Sequence, residues 1–302
     1  LTRETATKNA LLPAVMRRGS ALYPTFKDIS MQLEKLYGAS FDCGVTKKGE
    51  VHVIQFYIEF LSQKYIPDGA DSFSAAFDMI YDIITRPKFT GGHFDENYVA
   101  QEKDNLRKRI ESRVNDKMIY SIERCLEEMC RDEPYGIYDY GIIEDIEPIT
   151  PEELTDHHRA VLETYPLSVY LSGSIDDAQV ETVIKHLSQL NRGKVKSISS
   201  GFAKKTVSQA REVTEMMNVT QGKLCLGYRT NTAPDDISYP ALMVLDGILG
   251  GGVHSKLFQN VREKASLAYY VFSRLEKFKG LMVISGGIDF TDRDRALDII
   301  LR

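Results

Sequence analysis

Arg262 and Tyr269 stand seven positions apart in "VREKASLAY". A guanidinium fork and a phenol hydroxyl make a donor pair suited to a carbonyl that acquires negative charge. On residue type alone, the two read as a solvated helix arginine and a half-buried strand tyrosine. Just before them, "LGGGVHSKLF" places Gly250, Gly251 and Gly252 after an apolar run. Such a run can end a helix, and it lacks the spacing and the Lys-Ser/Thr of a phosphate loop. His254 beside it reads as a structural or hydrogen-bonding residue. The other histidines (His52, His93, His157, His158, His186) form no i, i+4 pair. A histidine metal site built by this chain alone is therefore not expected. Cys125 and Cys130, five apart on a helix, point to different faces, and Cys43 and Cys225 are remote in sequence. Neither a disulfide framework nor a zinc knuckle follows, and buried thiols in a cytoplasmic protein are the simplest reading.

One stretch stands out for the chemistry it lacks. "NALLPAVMRRGS", residues 9–20, has a proline in a helix-like run and no ionisable side chain from Ala10 to Met16. Pro13 predicts a kink or a helix start at that position.

The elements that would position these residues follow from periodicity and punctuation. Helices are predicted over 4–18 and 26–37, split by Gly19 and Pro24. Residues 51–58 alternate in strand fashion with apolar groups on both sides, which predicts a strand buried on both faces. A helix over 71–85 ends at Pro87, and a long charged helix over 95–131 breaks near Asn115–Asp116. "LSVYLSGSI" predicts a strand, and "DDAQVETVIKHLSQLN" a helix with an aspartate cap. The dense charges of "EKDNLRKRIESR" read as a solvated helix face, and the tyrosines of "DEPYGIYDYG" as a surface turn or a chamber wall. After polar residues 191–210 come a strand, two helices around the glycines, and a hairpin.

The 302 residues are 43% hydrophobic and 27% charged, enough for more than one core. A net charge of -5 gives no basic excess for nucleic acid, and no apolar run approaches a membrane span. The chain begins at Leu1 and stops inside an amphipathic helix, which reads as a fragment with both ends cut. The order of elements over 10–58 recurs later at a constant offset of 231: Ala10 and Ala241, Leu11 and Leu242, Gly19 and Gly250, Leu36 and Leu267, Phe41 and Phe272, Lys48 and Lys279, Gly49 and Gly280. This predicts an internal duplication: an N-terminal domain over 1–190, a linker over 191–210 and a C-terminal domain over 211–302. The fold class is α+β, with largely antiparallel sheets and helices packed on one face.

The chain resembles the pitrilysin/insulinase (M16) zinc peptidases and the subunits of mitochondrial processing peptidase. The resemblance covers nearly the whole chain. It is sharpest in "ILGGGVHSKLFQNVREKASLAYYVFS" and is carried earlier by "YPTFKDISMQLEKLYGASFD", "FDENYVAQEKDNLRKRI" and "DEPYGIYDYG". It implies two homologous α/β sandwich domains of the metallohydrolase type. Active members carry His-x-x-Glu-His on the first helix, two zinc ligands and a general base. Aligned on Gly19-Ser20, those positions are Ala10, Pro13 and Ala14. The third ligand, a glutamate, falls on Arg109, where a cation repels zinc. Glu111 is two positions off and on another face.

The same resemblance assigns Arg262 and Tyr269 to the pair that donates hydrogen bonds to the substrate's scissile region, and the glycine run to a peptide-binding chamber. The corresponding first-repeat residues, Met31 and Gly38, cannot do this. The implied protein is a catalytically inactive subunit without a cofactor. It would pair with an active, zinc-bearing subunit as a heterodimer, or else form a homodimer, and share a peptide chamber. The rivals are a non-enzymatic peptide-binding scaffold and a hydrolase with a relocated metal.

Overall fold

The computed structural model describes residues 1–67, 69–198, 202 and 204–302. Helix α1 (Arg3–Met16) opens the chain, and the Thr2 hydroxyl caps it by accepting from the Thr5 amide. Helix α2 (Phe26–Lys35) begins with a capping box of Thr25 and Asp28. Strands β1 (Ser40–Lys48) and β2 (Val51–Glu59) pair antiparallel across a turn in which Gly49 has φ 59. Next come α3 (Ser72–Thr85), the short antiparallel pair β3 (Phe89–Thr90) and β4 (His93–Phe94), and α4 (Glu96–Ser112). A 3-10 turn over Arg113–Asn115 separates α4 from α5 (Lys117–Met129), at the expected break. Then follow α6 (Pro151–Thr164) and α7 (Asp177–Ser188), the latter capped by Asp176.

The later sheet has the order β5-β7-β6, antiparallel throughout: β5 (Gly222–Arg229), β6 (Ala268–Glu276) and β7 (Leu281–Ile288). Helix α8 (Tyr239–Gly250) and a π-helical turn over Phe258–Lys264 lie between β5 and β6, and α9 (Arg293–Leu301) closes the chain. Gly280, in the β6–β7 turn, has φ 63 and so repeats Gly49.

Among the described residues the hydrophobic core has three parts. One gathers Leu11, Leu12, Val15 and Met16 of α1 with Met79, Ile83, Val99, Leu106 and Leu154. A second gathers Leu257, Val261, Val271, Ile284 and Ala296. The third joins α5 and the turn after it to the later sheet, packing Ile122, Leu126, Cys130 and Tyr135 on Leu281 and Val283. A buried ion network lies against it. Glu133 receives Lys279 at 2.7 Å, Arg229 at 2.5 Å and Lys205 at 3.1 Å, and Lys279 also meets Glu50.

Four expectations are corrected. Strand β2 is buried on one face only: Ile54, Phe56 and Ile58 turn to the core, whereas Gln55, Tyr57 and Glu59 are exposed. "LSVYLSGSI" forms no strand; its backbone has no ladder partner among the described residues, and Tyr170 is 90% exposed. Pro13 does not start its helix, because α1 begins at Arg3 and runs through it. The predicted helix after the glycines is largely π-helical, with the Ala265 amide reaching back to the Asn260 carbonyl at 3.2 Å. Within residues 191–210 no described residue is helix or strand, and Ser199, Ser200, Gly201 and Ala203 lie outside the described residues. The start of that stretch is pinned, since Lys196 N donates to Thr164 O at 2.8 Å and Arg192 to Leu162 O at 2.5 Å.

Candidate functional site

Helix α1 is held between α4, α6 and the β1–β2 hairpin. Ala10 and Pro13 are buried and Ala14 is half-buried. The Cys43 thiol of β1 donates to the Pro13 carbonyl at 3.2 Å, and burial pushes it up to about 12, against the pull of Arg17. A thiol so far above neutral pH stays protonated and is a poor ligand or nucleophile. At the end of the helix Arg18 makes an ion pair with the buried Glu102 of α4, which also accepts from Asn105 at 3.2 Å. Arg109, further along α4, is exposed and places its guanidinium 4.2 Å from the centre of the Tyr140 ring. The charged side chains gathered along this face are thus already engaged.

Beside Ala10, the buried Asn9 ties two histidines together. Its Nδ2 donates to His52 Nδ1 at 3.1 Å, and His157 Nε2 donates to its Oδ1 at 2.7 Å. Burial is the main cause that lowers each imidazole to about 4, so both are neutral at neutral pH. Sequence reading missed this cluster, because its members come from α1, β2 and α6 and no spacing announces it.

The tyrosines of "DEPYGIYDYG" are packed. Tyr135 is buried and donates to Glu276 at 3.0 Å, and Tyr138 lies under Arg113 at 4.1 Å, with burial pushing its hydroxyl up to about 12.

The second group of candidate residues is differently placed. Gly250 is buried where α8 meets β6, and a Cβ there would strike the backbone of Ser273. Gly251 and Gly252 are exposed. Arg262 lies in the π-helical turn with its side chain 43% exposed, its guanidinium 4.6 Å from the centre of the Phe258 ring and 4.0 Å from Glu263. Tyr269 is the extra residue of a β-bulge: Ala268 pairs with Ile288 and Tyr270 with Gly287. A bulge re-aims a side chain, and Tyr269 is 70% exposed rather than half-buried. Both donors face solvent. The folding thus presents the Arg262 and Tyr269 side chains and buries the helix that carries Ala10, Pro13 and Ala14.

Residues 148–302 match the family model described as the peptidase M16 inactive domain. Over 300 residues, the chain is 40% identical to the probable inactive metalloprotease YmfF of Bacillus subtilis, spanning 99% of this chain and 70% of that protein. The chain belongs to the M16 peptidase family. Among solved structures, a conserved protein from Enterococcus faecalis V583 superposes with a TM-score of 0.88 at 32% identity, over 99% of this chain and 70% of that one. A peptidase M16 inactive domain from Pseudomonas fluorescens shares the fold, with a TM-score of 0.73 at 20% identity over 97% of this chain and 67% of that one.

The residues of this M16 chain do not fit a zinc ion at the helix where the family would place it. Two methyl groups and a pyrrolidine ring offer no donor atom, and the Arg109 guanidinium has no lone pair to give. Among the described residues, no group of three or more His, Cys, Asp or Glu side chains is placed to hold a metal. No helix among them is long and apolar enough to cross a membrane.

Proposed function

We propose that this chain is a catalytically inactive M16 subunit that pairs with a zinc-bearing M16 subunit and lends it substrate-binding residues. The two domains, 1–190 and 211–302, would be copies of one design joined by the linker 191–210, and the heterodimer would work in the cytoplasm. One observation carries the reading. Carbon replaces every ligand and base atom on α1, while Arg262 and Tyr269 keep exposed donors. In the shared chamber Arg262 and the Tyr269 hydroxyl donate to the scissile carbonyl as its oxygen gains charge. The bare backbone of Gly251 and Gly252 lets an extended peptide approach. Zinc and the general base belong to the partner.

Bound zinc and cleavage of a labelled peptide are to be measured for the chain alone and mixed with a zinc-bearing M16 subunit. The chain alone should hold no stoichiometric zinc and cleave nothing. In the mixture, Arg262→Ala should lower kcat about 100-fold, as for loss of one donor to a developing oxyanion, and Tyr269→Phe should act in the same direction. Zinc with cleavage by the isolated chain sinks the proposal. A complex that forms but ignores both substitutions identifies a non-enzymatic scaffold, and a chain that forms only homodimers removes the heterodimer.

A further inference from the structure

Helix α5 lies along strand β5, and the register between them is set by one close approach. The sulfur of Met129 occupies the space where a Cβ on Gly227 would stand, so a larger residue there would force the Met129 side chain to move. One step further, the Arg229 guanidinium donates to the Met129 carbonyl at 2.8 Å. One step back, Cys225 packs on the cluster that holds Ile122 and Leu126 of α5, and Cys125 lies near enough for the two thiols to shift each other's acidity. The spacing explains this. Cys125 and Met129 are i, i+4 on one helix face, about 6 Å apart along the axis. Cys225 and Gly227 are i, i+2 on one strand face, about 6.7 Å apart. Fixing Met129 over Gly227 therefore puts Cys125 over Cys225. Both residues are half-buried, unlike Cys130, which is buried, and both differ from Cys43, whose thiol is committed to the Pro13 carbonyl.

We infer that Cys125 and Cys225 form a reversible disulfide that clasps α5 to β5 when the protein meets a low-molecular-weight disulfide. The neighbouring Cys225 thiol lowers the pKa of Cys125, and that of Cys225 is raised by Cys125 and by burial, which makes Cys125 the attacking thiolate. Its sulfur attacks one sulfur of the oxidant, the oxidant's S–S bond breaks, and one small thiolate leaves with the electron pair and takes a proton. Cys225 then gives its proton to solvent and attacks the Cys125 sulfur of the mixed disulfide, expelling the second small thiol. One external disulfide is reduced to two thiols, and the two protein thiols are oxidised to one disulfide. The clasp closes a loop between positions 125 and 225 and fastens helix to sheet within the core part that they share.

The test uses the whole chain incubated with glutathione disulfide or with dithiothreitol, followed by alkylation, intact mass and non-reducing peptide mapping. The oxidised sample should lose two alkylatable thiols, gain a cross-linked peptide pair containing Cys125 and Cys225, and melt about 5 °C or more above the reduced sample. Cys225→Ser should stop at a glutathione adduct on Cys125, and Cys43→Ser should leave the cross-link intact. Persistent alkylation of both cysteines, adducts in the unsubstituted chain without the cross-link, or a cross-link between any other pair overturns the inference.

Discussion

Helices α1 and α8 have similar apolar character and opposite surroundings. Ala10 and Leu11 correspond to Ala241 and Leu242 at the offset of 231. Yet α1 packs against α4, α6, β1 and β2, whereas α8 packs on β6. Leu11 is 0% exposed; on α8, Val244 is 63% and Leu245 51% exposed. The difference teaches that an apolar helix is not by itself a buried one. Apolar area stabilises at about 25 cal/mol per Å² only when something removes it from water. It also bears on the proposed function, because the helix that carries Ala10, Pro13 and Ala14 is the more completely covered of the two.

The largest expected effect lies at the buried end of the comparison. Leu11→Ala should cost about 2–5 kcal/mol, read as a lower denaturant midpoint at unchanged slope. A loss below about 1 kcal/mol would mean that α1 is less tightly enclosed than its packing indicates.

Much of the fold was legible because it depends on local signals. The cap at Asp176, the break between α4 and α5 and the glycines repeated at Gly49 and Gly280 are all short-range chemistry. What failed needed partners far along the chain. "LSVYLSGSI" has strand composition, but a strand requires a neighbour to receive its hydrogen bonds. The one-sided burial of β2 depends on which face meets the core, which alternation of apolar types on both sides hides. In the site, the absence of ligand atoms at Ala10, Pro13 and Ala14 was readable from residue type. The bulge that exposes Tyr269, the histidines joined by Asn9, and the seating of Cys125 over Cys225 arise only when distant segments meet.

A second, smaller effect probes the polar side of α1, which α8 lacks because Pro240 stands where Asn9 would be repeated. Asn9→Ala strands His52 and His157 and should cost about 1–3 kcal/mol. The neutral pair also gives a pH signature. Each imidazole is held at about 4 in the fold against 6.5 ordinarily. Between those values the unfolded chain binds more protons than the folded one, so stability falls as pH drops from 6.5 towards 4. Above 6.5 these groups contribute no slope. Glu133 is held at about 2 against 4.5, despite its burial, by Lys279, Arg229 and Lys205, so its loss of stability on acidification is confined to lower pH. Urea midpoints of the unsubstituted chain and His157→Gln at pH 7.5, 6.5, 5.5 and 4.5 separate the two. An unchanged midpoint between pH 6.5 and 4.5 in the unsubstituted chain would refute the neutral pair.

The smallest effect is expected at the exposed end, and it discriminates most sharply. Val244 and Leu245 stand at the offset positions of Pro13 and Ala14. Leucine and glutamine have nearly the same helix propensity, so Leu245→Gln isolates the value of burial from that of helix formation. With half of Leu245 already in water, the substitution should change stability by less than about 0.5 kcal/mol and leave the sedimentation coefficient unchanged. A loss above about 1 kcal/mol, with the protein remaining a single species, would show that this face of α8 is covered within the chain in solution. A loss accompanied by slower sedimentation would show that a second copy covers it. Either result would erase the contrast with α1, since each helix would then owe its apolar residues to a partner that buries them.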